Sequence, residues 1–163
     1  MTVKELTRIA VMASILYVVF DVFSNILYLE MITFTIVAFG MHFSRREVVY
    51  ACMMFAFIQI LFHGLMVWNI MYLVIYPSYG FLVSVLKKKL EKNVIGASIC
   101  IGVLSFFTGP LVELPFLCVS KTVTLVYVLM GLKTSFVQGC IAFMEGLFLY
   151  EPVCHILKKI GRE

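Results

Sequence analysis

Charge is what this sequence has least of. Only 13% of its 163 residues are Asp, Glu, Lys or Arg, against 63% hydrophobic ones. Mean hydropathy is +1.05. A soluble domain of this length has no interior large enough to hide so much apolar surface, so the deficit excludes the soluble classes. Alternation is lacking too: the apolar runs are continuous, which argues against a β-barrel. Paired cysteine motifs are absent. Cys52, Cys100, Cys118, Cys140 and Cys154 show no CxxC spacing and read as small buried hydrophobes, not as a disulfide framework or a metal site. His42, His63 and His155 fall at span ends on both sides and do not readily assemble into one metal site.

Catalytic motifs are missing as well. There is no HExxH and no GxSxG with a partnered histidine. Gly131-Leu132-Lys133-Thr134-Ser135 resembles the tail of a Walker A loop but lacks its leading glycine. No enzyme and no cofactor are expected, and any uphill work must draw on ATP hydrolysed by a partner. No cleavable signal peptide is expected either, because Asp21 and Asn25 follow the first apolar run where a small-residue cleavage site would stand.

What is present is a set of apolar runs near the length of a membrane span, about 20 residues. They cover about 6–27, 31–43, 48–62, 69–86, 94–107 and 134–157. The run 116–132 is apolar enough for a seventh span, but charge decides against it. With six spans, 11 of the 13 basic residues lie on one side: Lys4, Arg8, Arg45, Arg46, Lys87, Lys88, Lys89, Lys92, Lys158, Lys159 and Arg162. Only Lys121 and Lys133 lie elsewhere. That is the positive-inside pattern, and it places both termini in the cytoplasm. The basic residues therefore read as topology signals and not as nucleic-acid contacts. The expected fold is an all-α membrane protein, one compact six-transmembrane-helix bundle over residues 1–163. A folded-back outer segment, 109–133, is expected between helices 5 and 6.

Polar residues in spans are expensive and need a reason. They gather toward the outer end. Gln59 and His63 stand four apart; Trp68 and Asn69 open the fourth run, and Tyr72 and Tyr76 continue the Asn69 face. Gln138 and Glu145 are seven apart and share a face of the last run. Glu113 and Lys121 belong to the outer segment, where they can pair with each other. Each has a plain reading: Trp68, Tyr72 and Tyr76 as interfacial aromatics, Gln59 and His63 as partners of a nearby carbonyl, and Asp21, Ser24, Asn25 and Glu30 as solvated turn residues. Glu145 falls about halfway down its span, where an unpaired carboxylate is disfavoured, so it is neutral, paired or turned to a wet cavity. Taken together, aromatic faces with a few amides and carboxylates under a loop suit a small flat polar ligand. No positive cluster marks a phosphate site, which favours an uncharged heterocycle.

The first run keeps one side small. Ala10 and Ser14 stand four apart with Ala13 beside them, and such spacing lets two helices approach closely in lipid. The neighbour is either another helix of the bundle or a separate membrane protein. This face, the six short spans and the stretches TGPLVELPF and GLKTSFVQGCIAFMEGLFLYEPVCHILKK resemble the substrate-binding S component of energy-coupling factor (ECF) vitamin transporters. The resemblance covers nearly the whole chain, although the family's Ala-xxx-Ala stands here as Ala10-xxx-Ser14. It implies capture of a small vitamin or precursor, closest in style to the hydroxymethylpyrimidine or pyridoxine members, for ATP-driven uptake across a bacterial plasma membrane. It further implies a transmembrane coupling protein and two ABC-type ATPases as partners, and inward release as the S component topples in the lipid. Ala10, Ala13 and Ser14 then form the docking patch. Asn25, Trp68, Asn69, Tyr72, Glu113, Lys121 and Gln138 fall in the regions that line the family's pocket, and Glu145 lies below them. Two rival readings are a catalytically blank morphogenesis scaffold and an intramembrane enzyme using Glu145.

Overall fold

The computed structural model describes residues 1–91, 93–118 and 121–161. The described residues form six α-helices: α1 (Val3–Ser24), α2 (Met31–His42), α3 (Arg45–His63), α4 (Val67–Leu90), α5 (Val94–Glu113) and α6 (Lys121–Gly161). A short 3-10 turn, Leu114–Cys118, links α5 toward α6. Regions within α1, α3, α4 and α6, and the stretch Val94–Leu117, are long and apolar enough to cross a membrane, as in a multi-pass membrane protein.

Local chemistry sets several helix ends. Thr2 with Glu5, and Ser44 with Glu47, form reciprocal capping boxes that satisfy the free N–H groups opening α1 and α3. Gly64, at φ 81°, closes α3 in a conformation that side-chain-bearing residues rarely adopt.

The short α2 is the axis of the bundle. Its sequence, MITFTIVAFGMH, is apolar on every side, and each residue from Ile32 to Met41 is buried. The helices α1, α3, α4, α5 and α6 all pack against it. Contact with α4 is close enough that a Cβ on Gly40 would meet Val83 at 2.7 Å. Twelve residues make only about 18 Å of helix, well short of an apolar layer of about 30 Å. Because protein covers it all round, α2 needs no lipid-facing length. The outer helices follow the order α1, α3, α4, α5, α6, and α1 shares no extended interface with α6.

The tightest seam joins α5 to α6. A Cβ on Gly102 would lie 2.8 Å from the backbone oxygen of Gly139, and one on Gly139 would lie 2.9 Å from that of Gly102. The same antiparallel register brings Gly146 onto Ser98, Gly109 onto Ser135 and Gly131 onto Glu113. Small residues at four- and seven-residue intervals thus let the two backbones touch, as lipid-embedded helices require when packing alone holds them.

This seam corrects the expected outer segment. Gly109 and Pro110 lie inside α5, and 121–133 is not a fold-back but the first turns of a 41-residue α6. The charge count constrained which side the C-terminus takes, not the conformation of 116–132. Helix is the solution from Lys121 onward because it satisfies backbone groups internally. Phe116 stacks on Tyr127, 5.9 Å between centroids, fastening the 3-10 turn to the new turns of α6.

Basic groups collect at the end opposite the 25–30 loop. Arg8 reaches Glu47 at 3.8 Å, Arg45 lies 4.9 Å over the Phe81 ring, and His42 lies within electrostatic range of Lys87 and Lys158.

Gly102→Ala should lower the stability of the detergent-solubilised protein by about 1–3 kcal/mol, because the obstructing atom is backbone and cannot give way. Gly131→Ala should cost less, since its obstacle is the end of the Glu113 side chain. Thermal unfolding midpoints compare the two; equal losses would contradict the seam.

Candidate functional site

A cavity of about 400 Å³ opens at the end of the bundle opposite Arg8, Arg45, Lys87 and Lys158. It sits over the N-terminus of α2, in the length that this short helix leaves unfilled. Its walls come from the last turns of α1 (Val19, Phe20, Phe23), the loop from Ile26 to Glu30, Tyr72 and Tyr76 of α4, Thr108 to Glu113 of α5, and Thr134 and Gln138 of α6. It therefore bridges α1 and α6, the two helices that lack an extended interface.

The loop is bent by Tyr28, whose φ of 65° is rare for a bulky residue and carries a strain of order 1–3 kcal/mol. The bend turns the chain inward so that Glu30 becomes the N-cap of α2. Its carboxylate accepts hydrogen bonds from Thr33 Oγ1 at 2.7 Å and from Ser105 Oγ on α5. Burial pushes the Glu30 carboxyl up from 4.5 to about 7, against the pull of these two hydrogen bonds.

Aromatic rings build one wall. Tyr72, Tyr76 and Tyr79 recur at four and three residues and share a face of α4. Phe20 meets Tyr72 edge-on at 5.7 Å, and Tyr72 lies 5.0 Å from Tyr76. Phe55 braces Tyr76 from behind at 5.6 Å. The Tyr79 hydroxyl donates to the Leu104 carbonyl at 3.0 Å, tying the wall to α5.

The anticipated site residues separate into two groups. Tyr72, Glu113 and Gln138 line the cavity. Asn25, Trp68 and Asn69 do not: the Asn25 side chain donates to the Asp21 carbonyl, and Trp68 is 42% exposed. Asn69 is buried but donates to the Gly64 carbonyl at 2.9 Å, stapling the turn between α3 and α4. Glu145 lies two turns beyond Gln138 on the same face of α6, outside the lining. It is 8% exposed, has no hydrogen-bond partner among the described residues on either oxygen, and stands within electrostatic reach of Glu30. The side chain of Lys121 lies outside the described residues; its position opens α6, ten residues and so about 15 Å of helix before Gly131, which touches Glu113. Gln59 is buried with Nε2 unpaired, so the expected carbonyl bond is not made among the described residues.

Glu30 is the residue that sequence reasoning passed over. It stands beside a turn, as a solvated carboxylate would, and its principal partner, Ser105, is 75 residues away. Thr108 and Thr134 also escaped notice, since hydroxyls within apolar helices usually bond their own backbone, as Thr108 does with Leu104.

On the first helix, Ala10, Val11, Ser14, Ile15, Val18 and Val19 line a shallow exposed groove. Ala13 is on the opposite side, buried at 1% exposure within the bundle. The anticipated patch is thus split: Ala10 and Ser14 face outward, and Ala13 packs the interior.

Comparison of the chain with protein-family models, with curated proteins and with solved structures finds no match.

A carboxyl whose folded value is raised binds its proton more tightly folded than unfolded. Its contribution to stability therefore falls as pH rises from 4.5 through about 7. That interval corresponds to about 3 kcal/mol. Glu30→Gln should remove this loss, so the variant's unfolding midpoint should gain on the wild type between pH 5 and about pH 8. Parallel pH profiles would show that Glu30 is not the group responsible.

Proposed function

We propose that this chain is the substrate-binding S component of an ECF-type vitamin transporter. The supporting observation is the pairing of two features at different places on one bundle. A cavity of about 400 Å³, walled by aromatic rings, an amide and carboxylates, opens at the end opposite Arg8, Arg45, Lys87 and Lys158. An exposed groove lined in part by the small residues Ala10 and Ser14 runs along α1. The first has the size and mixed lining of a small-molecule site. The second allows close approach by another helix in lipid.

On this reading the basic end and both termini face the cytoplasm of a bacterial cell, and the cavity faces outward. Ligand enters over the N-terminus of α2, stacks on Tyr72 and Tyr76, and is oriented by Gln138, Glu30 and Glu113. Ala10 and Ser14 meet the transmembrane coupling protein, and two ABC-type ATPases bound to that protein supply the energy. The chain itself performs no chemistry. Toppling of the bundle in the membrane then delivers the ligand inward. Hydroxymethylpyrimidine and pyridoxine are the first compounds to try.

Mass spectrometry of small molecules released from protein purified out of a bacterial membrane should reveal a stoichiometric aromatic or heteroaromatic compound that rebinds on titration. An empty protein that binds no vitamin or precursor would favour a morphogenesis scaffold. Tyr72→Ala should weaken rebinding about tenfold or more, the loss expected from a buried ring contact. Trp68→Ala should leave it nearly unchanged. Ser14→Trp should block assembly with the coupling protein while sparing ligand binding; intact assembly would refute the docking face.

A further inference from the structure

Resting on the capture reading, we infer that the molecule held in this cavity carries a positive charge: an organic ammonium or cationic heteroaromatic ring, seated between the Tyr72 and Tyr76 faces and the carboxylates of Glu30 and Glu113. Sequence composition alone favoured an uncharged ligand because no basic cluster was in view. The structure turns that absence around. Two carboxylates line the cavity, and no Lys, Arg or His among the described residues does so.

The acidic groups are also poorly satisfied. The Oε2 atom of Glu113 is buried without a hydrogen-bond partner among the described residues. Glu145, 8% exposed, carries two unpartnered oxygens on the α6 face that Gln138 presents to the cavity. Glu30 is better served, with two hydroxyl donors and the positive end of α2 beneath it. Carboxylates withdrawn from water without a counter-ion are costly, and a cation lodged among them offsets that cost directly.

Shape agrees with charge. A cation over the face of a tyrosine is attracted by the ring quadrupole, more strongly when water is excluded. Tyr72 and Tyr76 line the same cavity as Glu30 and Glu113, so a flat ring bearing a positive group meets both kinds of attraction in one pose. No described basic side chain lines the cavity: Lys133, next to the lining residue Thr134 on α6, is exposed. Arg8, Arg45, Lys87 and Lys158 belong to the opposite end of the bundle.

Calorimetric titration of the wild-type protein in detergent with a matched pair tests the inference. The aminomethyl and hydroxymethyl forms of one aminopyrimidine are nearly isosteric, and only the first is an ammonium at neutral pH. The aminomethyl form should bind about tenfold more tightly or better, and Glu113→Gln should shrink that preference, read as the ratio of the two affinities in the variant. Equal or tighter binding of the hydroxymethyl form would overturn the inference and leave the capture reading standing. If neither form binds, the charge of the molecule released from membrane-purified protein decides: a cation supports the inference, and a neutral or anionic compound overturns it. Release of no molecule at all would remove the capture reading and the inference together.

Discussion

Backbone contact between α5 and α6 is the constraint on which the rest of the structure depends. Gly102 and Gly139 stand with each carbonyl against the other's α-carbon, and no side chain larger than hydrogen fits between them. In lipid there is no water to expel between helices, so closeness of fit has to hold them together. The register that results is maintained from Ser98 with Gly146 to Glu113 with Gly131. It carries Ser105, Thr108 and Glu113 on one helix, and Gln138 and Glu145 on the other, to the same side of the bundle. One wall of the cavity is therefore a by-product of glycine placement.

The opposite wall has a different origin. Tyr28 reverses the chain after α1 and presses Glu30 against Ser105, so a loop residue and a helix residue 75 positions apart share a hydrogen bond. The tyrosines of α4 close the third side, anchored through Tyr79 to the backbone of α5. Some of the buried polar groups, Glu30, Thr33 and Ser105 among them, thus gather around one void, while Glu47, Gln59, Asn69 and Ser98 are buried elsewhere. In α2, Thr33 and Thr35 bond to Glu30 and to the Met31 carbonyl, and His42 at its other end bonds to the Ala38 carbonyl.

Much of the helical plan was legible in the sequence because lipid imposes long apolar runs and leaves little room for other backbone structure. The short second run reads as one span among six; that other helices cover it on every side is visible only in the fold. Harder to see was which small-residue face did what. Ala10, Ala13 and Ser14 drew attention as a cluster, yet α1 turns Ala13 inward and leaves Ala10 and Ser14 outside. The glycines of α5 and α6 carry the closest helix contact, but they are spread over two segments whose pairing only the fold reveals. Charge counting misjudged 109–133, since the side on which a loop lies says nothing about how far a helix extends before it. In the candidate site, Tyr72, Glu113 and Gln138 were visible as polar or aromatic residues in apolar surroundings. Glu30 was hidden because a turn carboxylate and a buried one look identical until the distant partner is known.

The enclosure of α2 has one more consequence. Helices that face lipid answer to hydrophobic mismatch: they tilt or bend when the bilayer thins or thickens. α2 is buried from Ile32 to Met41 and so has almost no surface on which that force can act. The floor of the cavity is set by this helix. Changes in lipid composition can therefore reorient the bundle as a body while the floor keeps its shape, insulated from the membrane that surrounds it.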